Sequence, residues 1–257
     1  MFVLHGIFGM GTNFRAIAKA AAAREPSWGF VLVDQRGHGA SQGFAPPHDL
    51  NAAARDLEAL ADHLARTKGI EVRGVLGHSF GGKVALAYIE RRPVDVAVLL
   101  DSQPGPRILG EETDSAANVL VTLEALDHGW EKREAFSEAL RDAGYSAGLI
   151  EWLTMNVRRD GDLYRLRLDL PAIRSMLEDY FARDLWHVVE QPEFARTMSL
   201  VIAARSTVFD DVSRARADAA AFANPVLTVV VVENAGHWIH VDAPSKVLDA
   251  LCDALAR

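Results

Sequence analysis

Six short runs of almost wholly apolar residues punctuate this chain: Phe2–Leu4, Phe30–Val33, Val72–Leu76, Val96–Leu100, Ser199–Ala203 and Leu227–Val232. A strand with so few polar positions must be covered on both faces, the situation of a parallel sheet wrapped by helices. Helical patterns fall between the runs, over Thr12–Arg24, Leu50–Thr67, Phe80–Arg91, Arg214–Phe222 and Ser245–Ala256. The alternation predicts an α/β architecture with a mostly parallel sheet flanked by helices.

The alternation stops between about Pro104 and Glu193. Amphipathic pieces such as Asn118–Leu126, Trp130–Ala143 and Pro171–Phe181 replace it, and no apolar strand returns until Leu200. With 257 residues, 49% of them hydrophobic, the chain can bury one substantial core and still carry an insertion. We therefore expect residues 106–196 to form an inserted helical lid over the carboxyl edge of a core built from 1–105 and 197–257. A separate small helical domain is the alternative.

Ligands of doubly wound sheets bind beyond the carboxyl ends of the strands. The third run ends there in Gly77-His78-Ser79-Phe80-Gly81, a G-x-S-x-G sequence between an apolar strand and an Ala/Leu helix. A sharp turn at that point holds serine in strained backbone geometry with its hydroxyl outward, and the flanking glycines remove side chains that would collide. Ser79 is thus a candidate nucleophile.

Serine needs a base at neutral pH. The last run leads into Glu233-Asn234-Ala235-Gly236-His237-Trp238-Ile239-His240, where His237 follows an Ala-Gly turn and is the expected base. His240 is its rival and otherwise a loop residue. The pair has metal-like spacing but no evident third ligand, so no metal is expected. His5, His38 and His78 read as hydrogen-bonded loop histidines.

An acid must orient the base. Asp101, directly past the fourth run, is preferred; Asp210 and Asp211 are alternatives that can instead cap the helix near Val212. The oxyanion donors expected are the backbone amides of Phe80 and Ile7, with Phe8 second to Ile7. Phe8, Phe80, Trp152 and Trp238 are expected to line an apolar acyl pocket.

A competing pattern opens the chain. Gly9-Met10-Gly11-Thr12-Asn13-Phe14 followed by Asp34 has the outline of a dinucleotide site, but Phe14 stands where a third glycine is needed. Asp34 is instead expected in a polar turn, paired with Arg36.

A net charge of −8 argues against nucleic acid as the main partner, and no apolar stretch is long enough for a membrane span. No basic leader or cleavage site is visible. The single cysteine, Cys252, lies in an apolar helical pattern and reads as a packing residue, consistent with a reducing, cytoplasmic setting.

HGIFG, DQRGHGAS, GHSFGGK and NAGHWIH together resemble the α/β-hydrolase serine esterases, and more narrowly the small YbfF-type bacterial esterase/thioesterase group. The likeness runs into the insertion at Asp160-Gly161-Asp162-Leu163-Tyr164-Arg165. It implies the α/β-hydrolase fold and hydrolysis of short-to-medium acyl esters, with acyl-CoA thioesters as a second class, and no metal or organic cofactor. It implies Ser79 as nucleophile, His237 as base and then acid, and Asp101 as orienting carboxylate, in the chain order Ser…Asp…His of that superfamily. Members of the group usually begin with a β-hairpin, whereas this sequence starts at the HG strand, so an exposed sheet edge is expected and the oligomeric state stays open. C–C bond hydrolysis or cofactor-free perhydrolysis on the same three residues is the alternative chemistry, and a non-catalytic binding protein the alternative class.

Overall fold

The computed structural model describes residues 1–107, 115–126 and 129–257. Its first half alternates strand and helix: β1 (Phe2–Leu4), α1 (Arg15–Arg24), β2 (Val31–Val33), α2 (Leu50–Lys68), β3 (Gly74–His78), α3 (Phe80–Arg91) and β4 (Val94–Leu100). The middle carries α4 (Ala116–Ala125), α5 (Arg133–Asp142), α6 (Ala147–Thr154), β5 (Val157–Asp160), β6 (Leu163–Leu166), α7 (Leu170–Ala182) and α8 (Trp186–Glu190). Alternation then resumes with β7 (Ala195–Ala203), α9 (Asp211–Ala223), β8 (Leu227–Val232), α10 (Ile239–Asp242) and α11 (Pro244–Leu255).

Six strands form one parallel sheet in the order β2-β1-β3-β4-β7-β8. Strand side chains alternate faces, so each apolar run feeds two cores. Phe2, Leu4 and Leu99 join the core under α2 and α3, while Val3, Val98 and Leu100 join the one under α1 and α11. The two buried faces explain why these strands are apolar throughout. Half-buried β2 is one edge of the sheet, and β8, with Val231 exposed, is the other.

The local stop and start signals are legible. Asp49 caps α2 by accepting from the Ala52 amide at 2.6 Å, and the helix ends at Gly69 with φ +65°. Ser115, Ser146 and Asp169 cap α4, α6 and α7 in the same way. Residues 12–14, expected as the start of the first helix, belong instead to a separate 3-10 turn, Gly11–Phe14, ahead of α1.

The strands β5 and β6 pair antiparallel with each other in a region whose pattern read as helical. Arg158, Arg159 and Asp160 are exposed, so the hairpin has no apolar alternation to announce it. Its mark is the turn Gly161-Asp162, with Gly161 at φ +63°. Of the segment 106–196, residues 108–114 and 127–128 lie outside those described. Its last helix, α8, packs against α3 and α9. Among the described residues no helix is long and apolar enough to cross a membrane.

Candidate active site

Four non-glycine residues among those described have positive φ: Phe8 (59°), Ser79 (52°), Asp101 (43°) and Asn234 (62°). Each follows a strand of the main sheet, namely β1, β3, β4 and β8. Such backbone costs about 1–3 kcal/mol per residue and persists only where the surroundings impose it. All four lie past the carboxyl ends of the strands.

At Ser79 the imposition is visible. β3 turns into α3 so tightly that a Cβ on Gly77 would lie 2.2 Å from the Gly81 carbonyl oxygen. One on Gly81 would lie 2.5 Å from the His5 carbonyl oxygen. The Ser79 amide donates to the Leu100 carbonyl at 3.0 Å, and the Ser102 hydroxyl donates to the Ser79 carbonyl at 2.7 Å. The backbone is pinned on both sides and the hydroxyl is left to point outward.

His237 Nε2 lies 2.9 Å from Ser79 Oγ, and His237 Nδ1 lies 2.7 Å from Asp101 Oδ2. A carboxylate can only accept, so Nδ1 carries the proton and Nε2 is left to accept from the serine hydroxyl. Asp101 is fully buried, and its other oxygen accepts from the Ala203 amide at 3.1 Å. The His237 side chain is 36% exposed, so its ring edge reaches the cavity. The chain thus brings together the three residues expected from the strand ends. Asp210 lies elsewhere, as the cap of α9, accepting from the Ser213 amide at 2.7 Å. Asp211 is the first residue of that helix.

Of the candidate oxyanion donors, Phe8 is engaged: its amide donates to His38 Nε2 at 3.2 Å. Among the described residues the Ile7 and Phe80 amides have no protein acceptor, and both residues line the cavity beside Ser79.

His5, His38, His78 and His240 make packing and hydrogen-bond contacts rather than joining the line of Ser79, His237 and Asp101. His5 accepts from the Gln35 amide at 3.1 Å and His38 donates to the Arg36 carbonyl at 3.0 Å. His240 stacks on Phe14, ring centroids 4.6 Å apart, with neither ring nitrogen hydrogen-bonded. Burial pushes His5 and His240 down to about 4, His38 to about 3 and His78 well below 6.5, so all four are neutral at pH 7. Among the described residues no group of three or more His, Cys, Asp or Glu could hold a metal ion.

The dinucleotide-like opening has a different use. Asp34 accepts from the Gly11 amide at 2.8 Å and the Ala40 amide at 3.0 Å, tying two loops together. Arg36 does not pair with Asp34, as its turn suggested; it makes a two-pronged bond to Asp56, at 2.6 and 2.8 Å. Its planar fork meets a carboxylate on α2 that the sequence places 20 residues away, beyond the reach of turn reasoning.

The cavity over Ser79 holds about 640 Å³, within the range of small-molecule sites. Phe8, Trp152 and Trp238 line it, the two tryptophans stacked with centroids 5.7 Å apart. Among the lining residues that the sequence did not announce are Tyr180 and Arg107. Tyr180, at the end of α7, faces the side chains of Ser79 and Arg107 with its hydroxyl. Arg107 itself follows β4 by seven residues. Nothing in an amphipathic helix pattern distinguishes a tyrosine that reaches a strand end from one that packs.

An alpha/beta hydrolase family model matches residues 1–250. The sn-1-specific diacylglycerol lipase ABHD11 of Mus musculus is 28% identical over 258 residues, spanning 98% of this chain and 80% of that protein. Esterase YbfF of Escherichia coli is 24% identical over 253 residues, spanning 97% of this chain and 90% of that protein. Among solved structures a marine microorganism esterase superposes with a TM-score of 0.78 at 21% identity, covering 98% of this chain and 94% of its own. The chain thus shares the fold of that structure.

Proposed function

The chain belongs to the alpha/beta hydrolase family, and from that premise we propose that it hydrolyses carboxylic esters through an acyl-enzyme on Ser79. One observation carries the reading: the unbroken hydrogen-bonded line from Ser79 Oγ through His237 to buried Asp101. Relatives named as an esterase and a lipase support the ester bond as the target.

Ser79 attacks the ester carbonyl while its proton passes to His237 Nε2. Asp101, held by the Ala203 amide, keeps the imidazole in the reactive tautomer and offsets the charge it acquires. The tetrahedral oxygen is received by the Ile7 and Phe80 amides, each worth about 3–4 kcal/mol of transition-state stabilisation in comparable sites. Collapse breaks the carbonyl–oxygen bond, and His237 returns its proton to the departing alcohol. Water then attacks the acyl-serine with His237 again as base, releasing the acid and free Ser79.

Phe8, Trp152 and Trp238 form the apolar wall against which an acyl chain rests, and residues 106–196 serve as the lid. Acyl thioesters are substrates of the same site, because a thiolate leaves from the same tetrahedral intermediate.

Hydrolysis of p-nitrophenyl acyl esters of increasing chain length, by wild type and Ser79→Ala, tests the reading. The expected loss on removing the serine is about 10⁶-fold in kcat. Ester hydrolysis that survives in Ser79→Ala, or fluorophosphonate labelling at another residue, would overturn it.

A further inference from the structure

Arg107 lines the cavity over Ser79 without an ion-pair partner among the described residues. Its neighbour in the cavity is Tyr180, whose hydroxyl also faces the Ser79 side chain. The nearby carboxylates are otherwise committed. Asp101 accepts from His237, Asp210 caps α9 through the amide and hydroxyl of Ser213, and Asp179 accepts from the Leu50 amide at 2.9 Å. A second arginine, Arg205, sits on the same cavity, bound to Asn234 at 2.7 Å. Among the described residues one carboxylate lies on the cavity wall, Asp242, which accepts from the Gly236 amide.

Arg107 is also held in place. Its amide donates to the Phe181 carbonyl at 2.9 Å. Two residues earlier, the Gly105 carbonyl accepts from Lys83 Nζ at 2.6 Å, and the same ammonium donates to the Tyr180 carbonyl at 2.6 Å. One fully buried lysine on the nucleophile's helix therefore fixes both segments that carry Arg107 and Tyr180. A guanidinium that lines the cavity over the nucleophile, on a backbone held in place and with no ion pair among the described residues, has the chemistry of an anion site.

We propose that Arg107 forms an anion subsite and that the substrate is an ester carrying a second, ionised carboxylate close to the scissile carbonyl. The proposal rests on the serine-hydrolase reading and narrows its substrate class. The carboxylate takes no part in bond-making: water adds across the ester bond, the alcohol leaves, and the charge at Arg107 is unchanged throughout. It can sit on the acyl part, as in a dicarboxylic half-ester, or on the alcohol part, as in an acylated hydroxy acid.

Four esters distinguish these cases: the p-nitrophenyl half-ester of glutaric acid and the acetate ester of lactic acid, with their neutral counterparts p-nitrophenyl pentanoate and methyl O-acetyl-lactate. Wild type should favour a charged ester over its neutral pair by about ten-fold or more in kcat/KM, chiefly through KM, and the preferred pair identifies the part that bears the charge. Arg107→Gln should bring the ratio to near one, and Arg107→Lys should restore part of it. A neutral ester preferred by wild type, or a ratio untouched by Arg107→Gln, overturns the subsite. Calorimetric titration of Ser79→Ala with glutarate reads the subsite without any turnover. Glutarate bound by Ser79→Ala but not by Ser79→Ala/Arg107→Gln supports the subsite even if no ester is hydrolysed, in which case the hydrolase reading alone falls. Absence of binding to Ser79→Ala overturns the subsite whatever the esters show.

Discussion

His78 and His237 are joined by one hydrogen bond: the Nε2–H of the first donates to the main-chain carbonyl of the second over 2.8 Å. The residue before the nucleophile thus holds the loop that carries the base. Burial keeps His78 neutral, and the neutral ring with its proton on Nε2 remains a donor across the physiological range.

His78→Leu should therefore loosen the base rather than the substrate. A lost hydrogen bond of this kind is worth about 1–1.5 kcal/mol, so kcat should fall by about ten-fold with KM little changed. An unchanged kcat in steady-state ester hydrolysis would show that the loop needs no such tie.

Asp101→Asn keeps an acceptor for the Ala203 amide but presents an N–H or a weaker acceptor to His237 Nδ1. The imidazole then turns to the wrong tautomer, and kcat should drop by about 10⁴-fold while thermal stability stays near wild type. Activity within ten-fold of wild type would move the acid's role to another residue.

Gly77→Ala sets a methyl group 2.2 Å from the Gly81 carbonyl oxygen, a clash with backbone that no rotamer relieves. The turn must open, and we expect a loss of at least about 3 kcal/mol in urea unfolding together with loss of activity. Wild-type stability with activity intact would mean the turn tolerates far more than its geometry implies.

Acid should unfold the protein early. His5 and His240, at about 4, and His38, at about 3, lie below the unfolded value of 6.5, so on acidification the unfolded chain takes up protons first. Their contribution is complete above about pH 6.5 and declines from there to about pH 4 for His5 and His240 and about pH 3 for His38, each histidine removing about 1.4 kcal/mol per pH unit. Urea midpoints at pH 7.5, 6 and 5 should fall accordingly, and a flat series would contradict the burial of these rings.

His240→Phe isolates one member of that group. The ring already stacks on Phe14 and uses neither nitrogen, so an apolar ring keeps the contact and removes two unsatisfied polar atoms. Stability at pH 5 should rise by about 1–2 kcal/mol, more than at pH 7.5. A destabilised variant at both pH values would show that the nitrogens matter.

Much of this was open to reading because the informative residues are tied to chain periodicity. Val98, Leu99 and Leu100 announce a strand buried on both faces, and Asp101 follows it without a gap. Ser79 and His237 likewise sit one and five residues past their strands, so topology alone brings them to one edge. Tyr180 and Arg107 reach that edge from residues whose position depends on how the middle segment folds back. The β5–β6 hairpin escaped for a related reason: Val157 is buried while Arg158, Arg159 and Asp160 are exposed, so no apolar alternation marks the strand. Arg36 chose Asp56 over its neighbour in the turn because the match is one of shape across space.

Lys83 gives the cavity one fixed wall. Its ammonium grips the carbonyls of Tyr180 and Arg183 at the end of α7 and that of Gly105, at 2.6, 3.0 and 2.6 Å, while its own helix begins at the nucleophile. Pulling α7 away would strand a buried cation, at a cost of several kcal/mol. That helix is therefore part of the frame on which the serine is mounted. Elsewhere on the cavity wall Trp152 of α6 meets Trp238 by ring stacking, a contact that involves no charge.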